Sequence, residues 1–350
     1  MGRTPRIYTN SYSLLVNDMK RIFNCVVAIF LCVISSHVSG QNQYLVSQID
    51  QLKFKGNGKV KSDREFVFDV VNQFGDYSEN YSKQNPLMLI YDKNENLVLQ
   101  MSFFVTAAFY KYDDKNNLIE ISVYESPSID YGDLPKLNKS PRWDTIDYRN
   151  YCRVNNLQTK VKFKYDNNNY LLEQNNYNQN GLTFKLTFKY NDKGNILNIQ
   201  NYGDDFSPTS LDKYIYSDKG KLVELIQENG KTVYTYDPNG NMVKESLYVY
   251  SNSSRLGQAK FRLSVDKFFK NGLIIKQVKY DESQLKAFNK YEEFKYDDHN
   301  NEVFHSLKSG SENYIMTSKY IYDNLGNWIK RTDYKNDIPI SGIRREIAYQ

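Results

Sequence analysis

Histidine carries out much of the proton transfer that enzymes perform near neutral pH, and this chain has only His37, His299 and His305. Neither His299 nor His305 has a metal-ligand partner at a recognised spacing, and His299 lies in a polar turn where contact with solvent is expected. The adjacent carboxylates Asp204-Asp205 could work as an acid–base pair, but Tyr202-Gly203-Asp204-Asp205-Phe206-Ser207-Pro208 reads as a loop joining two strands. Asn229-Gly230-Lys231-Thr232 resembles the tail of a phosphate-binding loop. Leu225 stands where its first glycine is required, and the context is a hairpin. The alternating oxygens of Asp92-x-Asn94-x-Asn96 and Asp237-x-Asn239-x-Asn241 could hold calcium. An EF-hand loop would then need glycine where Leu97 and Met242 stand, and glutamate where Phe103 and Tyr248 stand. Neither Gly-x-Ser-x-Gly nor His-Glu-x-x-His occurs. The expectation is a non-enzyme without metal or cofactor. The chemistry that remains is recognition by aromatic rings: Tyr131, Trp143, Tyr148 and Tyr151 fall in a segment that could present rings to sugar faces.

The elements that must carry such a segment are specified by a repeat. Tyr190-Asn191-Asp192-Lys193-Gly194-Asn195-Ile196, Tyr236-Asp237-Pro238-Asn239-Gly240-Asn241-Met242 and Tyr322-Asp323-Asn324-Leu325-Gly326-Asn327-Trp328 are its clearest copies. Others start at Tyr91, Tyr112, Tyr165, Tyr216 and Tyr296. The residue after each tyrosine is Asp, Asn or Ser, whose side chain accepts a hydrogen bond from the backbone two residues on and opens a type I turn. Four residues after the tyrosine stands Gly or Asn, with Glu95 the exception. Those residues enter the left-handed backbone region at least cost, which specifies a type I turn with a G1 bulge.

The flanking runs alternate with period two, as in Phe184-Lys185-Leu186-Thr187-Phe188-Lys189-Tyr190, so each is a strand with one apolar and one polar face. A large side chain stands two residues before every motif tyrosine, from Leu89 and Tyr110 to Phe294 and Tyr320. An aliphatic or aromatic residue begins the return strand six residues after it, except at Glu302. Phe269-Lys270-Asn271-Gly272-Leu273 reads as a weaker copy with a shortened turn. Residues 125–156, with Pro127, Pro135 and Pro141, read as an insertion that interrupts the ladder. The implied fold is all-β: a repetitive antiparallel hairpin meander in a twisted or spiralling sheet, whose units bury their faces only together.

Formal charge is +5 from 46 basic and 41 acidic residues, too weak and mixed for a nucleic-acid-binding face. Lysine-rich strands are expected to solvate an outer surface. Met19-Lys20-Arg21 and the apolar run Ile22 to Ile34, then Val38-Ser39-Gly40, read as a cleaved signal peptide over 19–40, so membrane contact is expected only if that segment stays uncleaved. Residues 1–18 lack export character, making Met19 the expected start. Cys152 is then the one mature cysteine, held by packing or paired between chains. Residues 41–86 form a terminal cap segment: Ser62-Asp63-Arg64-Glu65 has the form of a capping box, and Phe66, Val70 and Phe74 recur at four-residue steps, so one short helix is expected there. The β domain spans 87–350.

The Tyr-Asp-x-x-Gly-Asn copies, above all those at Tyr236 and Tyr322, resemble the YD repeats of RHS-type proteins over perhaps 250 residues. MORN-type repeats also use Tyr and Asn-Gly turns but in shorter, more regular units. The RHS resemblance implies hairpins wound into a spiralling β-strip, and in long members a hollow shell around a toxin; no toxin domain or self-cleavage core is evident in this chain. The Asn/Lys/Tyr-rich style resembles exported proteins of the Bacteroidetes. The functional expectation is a non-catalytic protein exported to the periplasm, cell surface or medium, serving binding or structure, with a surface glycan or an envelope protein as partner. An accessory to a toxin or secretion system is the alternative that the resemblance implies.

Overall fold

The computed structural model describes residues 56–73, 75–81, 87–102, 106–125, 157–251, 260–280, 288–310 and 312–350. The chain divides into Met1–Ser39 and Gly40–Gln350, and every described residue lies in the second unit. Its strands, in chain order, begin with β1 (Val60–Gln73), β2 (Asp76–Tyr81), β3 (Leu87–Tyr91), β4 (Leu97–Ser102), β5 (Thr106–Tyr112), β6 (Leu118–Glu125) and β7 (Leu157–Tyr165). They continue with β8 (Leu171–Asn178), β9 (Gly181–Tyr190), β10 (Ile196–Tyr202), β11 (Pro208–Tyr216), β12 (Leu222–Gln227), β13 (Gly230–Tyr236) and β14 (Met242–Ser251). The last are β15 (Lys260–Lys270), β16 (Leu273–Tyr280), β17 (Phe288–Tyr296), β18 (Glu302–Ser309), β19 (Asn313–Tyr322), β20 (Trp328–Lys335) and β21 (Ile338–Tyr349).

Each strand from β3 to β21 pairs antiparallel with the next, as the hairpin repeat requires. The sheet does not end as an open spiral. β21 pairs with β1 from Val60 to Asp69, and β1 pairs with β3 from Ser62 to Glu65, so twenty of the 21 strands close an antiparallel barrel, with β2 added beside β1. This corrects the spiralling-sheet expectation, and the correction has the same cause as a second one. The expected helix after Ser62 is absent: residues 60–73 are β1. Their aromatic and β-branched run, Phe66-Val67-Phe68-Asp69-Val70-Val71, suits a pleated strand, and hydrogen bonding to strands on both sides overrides the local capping signal. The segment expected to cover an edge instead removes the edge.

The turns form as their chemistry dictates. Gly194, Gly220, Gly240 and Gly326 have φ of 77°, 76°, 82° and 82°, and Asn116, Asn169 and Asn300 stand at 63° to 65°. Glu95 adopts 64°, keeping the geometry without the favoured residue. Cross-strand partners share a face, and one face carries every motif tyrosine. That face is the interior: Leu186, Phe188, Ile199, Tyr214, Leu225 and Tyr234 on it are all buried. On the other face Lys189, Lys213, Ile215, Lys295 and Lys319 are exposed.

Candidate functional site

Three arrangements could carry function: the rim of motif turns, a charged row inside, and the solvent-facing wall. On the rim, the motif tyrosines tie each repeat to the one before it. Tyr165 Oη donates to the Leu118 carbonyl, Tyr190 Oη to that of Leu171, Tyr216 Oη to that of Ile196 and Tyr236 Oη to that of Leu222, each at 2.8 Å. The acceptor is always the residue six after the preceding tyrosine. Burial pushes the Tyr216 phenol up to about 12 and those of Tyr112, Tyr165 and Tyr190 higher still, so these groups stay protonated donors. Tyr322 departs from the pattern next to the exceptional Glu302: its hydroxyl bonds Asp297, and Tyr320 Oη takes the Glu302 carbonyl at 3.0 Å.

The turn carboxylates are occupied by their own backbone. Asp92 Oδ1 accepts from the N–H groups of Asn94 and Asn96 at 2.8 and 2.9 Å, and its Oδ2 accepts from Asn96 Nδ2 at 3.1 Å. Asp237 likewise accepts from Asn241 through both oxygens. Turn geometry therefore accounts for the alternating oxygens, and no cluster of three or more His, Cys, Asp or Glu suited to a metal occurs among the described residues. Asp205 is an exposed loop residue whose Oδ1 accepts from Ser207, and Lys231 lies in the β12–β13 hairpin.

Inside the barrel, Tyr234, Glu245, Lys267, Gln277, Glu292 and Leu307 are successive cross-strand partners from β13 to β18. Lys267 Nζ lies 3.0 Å from Glu245 Oε1. Burial pushes the Glu245 carboxyl up to about 7 and the Lys267 amine down to about 8, both toward neutrality, against their mutual attraction. At Glu292 burial, the largest single influence, also favours the neutral acid. Bonds from Lys290 Nζ (3.0 Å), His305 Nε2 (3.1 Å) and Gln277 Nε2 (2.8 Å) outweigh it and hold the carboxyl below its usual range. Asp212 is raised by burial to about 6 although Gln227 Nε2 donates to it at 3.1 Å. Glu245, Lys267 and Asp212 can exchange protons near neutral pH, but Glu245 and Asp212 are each only 4% exposed.

The solvent wall from β13 to β20 alternates lysines with rings. Lys244 and Lys276 flank Phe268 at 5.4 and 5.3 Å, and Lys276 also lies 4.9 Å from the Tyr291 ring. Lys231 lies 5.0 Å from Phe261, Lys295 4.7 Å from Phe304 and Lys319 4.8 Å from Tyr334. Tyr250 and Phe261 pack at 4.5 Å and remain 39% exposed each. Lys231 and Lys244 are also ion-paired, with Glu224 at 2.6 Å and Asp266 at 3.0 Å, whereas the cation–π contacts of Lys276, Lys295 and Lys319 leave their ammonium charge available to an anion.

Tyr131, Trp143, Tyr148 and Tyr151 lie outside the described residues; the segment that bears them joins β6 to β7. The interior acids and the lysine–ring wall were not singled out in the sequence. Both had a signal there. Lys267 stands two residues before Phe269, where the other copies carry a large apolar or aromatic side chain, and the lysines alternate with Phe or Tyr across neighbouring strands, visible only once the register is known.

No protein-family model matches the chain, and no curated protein matches it in sequence. Among solved structures, similarity extends to TcdB2-TccC3 (TM-score 0.39, 8% identity, 81% of this chain and 16% of that one) and to TcdB2-TccC3-Cdc42 (0.36, 8%, 77% and 15%). A porin-like protein from Bacteroides uniformis matches with TM-score 0.29 and 9% identity over 83% of this chain and 99% of its own. The chain thus spans less than a fifth of the first two. None of the three likenesses carries an argument about function.

Proposed function

We propose that this is an exported, non-catalytic β-barrel protein of the cell envelope or extracellular space that binds an acidic glycan through its solvent-facing wall. The observation that carries the reading is the row of lysines seated on rings: Lys276, Lys295 and Lys319 lie over Phe268, Tyr291, Phe304 and Tyr334. Rings offer flat apolar faces to sugar rings, and the ammonium groups between them match carboxylates or sulfates along a polysaccharide. The same lysines favour a wall in water. A lipid-facing barrel presents an apolar band, and a lysine at the bilayer midplane costs about 2–4 kcal/mol; Lys160, Lys162 and Lys164 likewise alternate along the outer face of β7. Export rests on the basic and apolar character of Met19 to Ile34.

The test is binding of the purified protein to polygalacturonate, with dextran as the neutral control. The triple variant Lys276→Ala, Lys295→Ala, Lys319→Ala should lose at least about ten-fold in affinity for the acidic polymer, and added salt should weaken wild-type binding. Undiminished binding by the triple variant, or equal binding of dextran, refutes the wall as the site. A variant lacking 126–156 separates this reading from one based on Tyr131, Trp143, Tyr148 and Tyr151: loss of binding only there would move the site to the insertion. Mass analysis of the exported protein, expected to begin at Gln41, tests the signal peptide.

A further inference from the structure

Strand ends meet in ten pairs on the rim that carries the motif turns. Nine are joined by covalent hairpins, from β3–β4 to β19–β20; the tenth is the junction of β21 with β1. That junction reproduces the repeat turn in its register shift, its closing backbone bond and its left-handed glycine. In the Tyr216 copy, Tyr216 pairs with Leu222, the register then shifts by one residue, and Ser217 N–H donates to the Lys221 carbonyl at 2.8 Å. At the junction, Tyr349 pairs with Val60, the register shifts between Val60 and Ser62, and Gln350 N–H donates to the Lys59 carbonyl at 2.8 Å. Gly58 has φ of 84°, beside 82° at both Gly240 and Gly326. Written continuously, Tyr349-Gln350 followed by Gly56-Asn57-Gly58-Lys59-Val60 has the motif's spacing, with glycine four and an aliphatic residue six places after the tyrosine.

Tyr349 is held by the preceding turn in the same way as Tyr322, the copy whose hydroxyl bonds a turn aspartate instead of a carbonyl. Asn301 Nδ2 donates to Tyr322 Oη at 2.9 Å, and Tyr322 Oη in turn bonds Asp297. One repeat on, Asn327 Nδ2 donates to Tyr349 Oη at 2.7 Å, and Tyr349 Oη bonds Asp323. On the far side Gln350 Nε2 reaches the Asp92 carbonyl of the Tyr91 turn at 2.8 Å. Asn57 is held by the same neighbour, its N–H donating to Asn327 Oδ1 at 2.6 Å and its carbonyl accepting from Asn327 Nδ2 at 2.7 Å.

We propose that Gly56–Val60 is a docking site for the strand end Tyr349-Gln350, that the two segments are halves of one split repeat turn, and that this non-covalent turn is the latch that holds the barrel shut. Every other turn on this rim can form locally. This one must bring together residues about 290 apart in sequence, so it assembles last and releases first. Release would part β21 from β1 while leaving each hairpin intact, and would uncover the interior charged row.

Hydrogen exchange in the full chain tests this. In the wild type, the Gln350 N–H should exchange in the same slow class as the equivalent N–H groups of Ser217 and Asp237. Deleting Tyr349-Gln350 should lower protection of residues 60–69 and 338–348 by about ten-fold or more, the effect of losing hydrogen bonds at a marginal site, and leave 222–236 unchanged. Gly58→Val should do the same, because a Cβ there meets Leu325 Cδ1 at 3.1 Å and Tyr349 Cδ1 at 3.2 Å in a left-handed backbone. Gly220→Val, strained only by its φ of 76°, should instead loosen its own hairpin. Exchange of the Gln350 N–H at the free-chain rate in the wild type overturns the proposal even if the variants fail to fold. So does undiminished seam protection after the deletion.

Discussion

From β4 to β10 the interior face is built of Gln100, Tyr110, Ile121, Val161, Phe163, Gln174, Leu186, Phe188 and Ile199, with no charge among them. From β11 round to β1 the same face carries Asp212, Glu245, Lys267, Glu292, Arg331, Asp333, Arg345, Asp63 and Glu65. The common turn occurs in both sectors, although the β15–β16 turn is shortened and Tyr322 bonds Asp297 in the charged one. Tyr190 and Tyr236 make the same 2.8 Å bond to the repeat before. The turn thus sets backbone geometry alone, and the interior position is free to be apolar or ionic provided each charge finds a partner. Arg345 shows the condition met: it bonds Asp63, lies 3.7 Å from Glu65 and stacks 4.3 Å from the Trp328 ring.

The two sectors should therefore respond to truncation in different ways. Phe188→Ala, which empties a buried site in the neutral sector, should destabilise by about 3–5 kcal/mol at any pH. Lys267→Met in the charged sector should cost about 3 kcal/mol near pH 8, where Glu245 is left ionised without its ammonium partner. The loss should shrink toward pH 5.5, below the value of about 7 to which burial raises Glu245. Adding Glu245→Gln should restore most of the stability. Equal pH dependence for Phe188→Ala and Lys267→Met in denaturant titrations would erase the distinction.

Asp212 sharpens the comparison, since it stands where the neutral sector gives way to the charged one, directly opposite Ile199. Its carboxyl is raised from 3.8 to about 6, so the stability linked to its protonation is fully present below about pH 4 and is lost as pH rises through 6. The full contribution is at most about 3 kcal/mol. Melting temperature should fall between pH 4 and 7, and Asp212→Asn should flatten the part of that fall below pH 6.5. A profile unchanged by Asp212→Asn would place the pH sensitivity elsewhere.

The smallest effect concerns the feature the sectors share. Tyr190→Phe and Tyr236→Phe each remove one hydroxyl bond and keep the ring, and should each cost about 1 kcal/mol in thermal unfolding. Unequal losses would mean that the repeat bond is not the common element.

Much of this architecture was legible before any coordinates, and the reason lies in the turns. Gly240 and Asn300 report a left-handed backbone by their own identity, and Asp237 reports the hydrogen bonds it must accept. What could not be read depended on partners distant in sequence. Ser62 to Glu65 satisfies a local helix rule, and only β21, whose Arg345 meets Asp63 across a separation of 282 residues, makes that stretch a strand. Glu245 and Lys267 become an interior pair only when β14 and β15 are set in register around a bulge at Leu247 and Tyr248. The aromatic residues of the insertion were visible as a composition, and composition does not fix a position.

The central claim is that the motif tyrosines stand inside a closed barrel as protonated donors to the repeat before them. Spectrophotometric titration of the phenols tests it most directly. The buried phenols of Tyr112, Tyr165, Tyr190 and Tyr216 should stay protonated through the ordinary tyrosine range and ionise only when the barrel unfolds. A single reversible transition near pH 10 that includes every tyrosine would contradict the account.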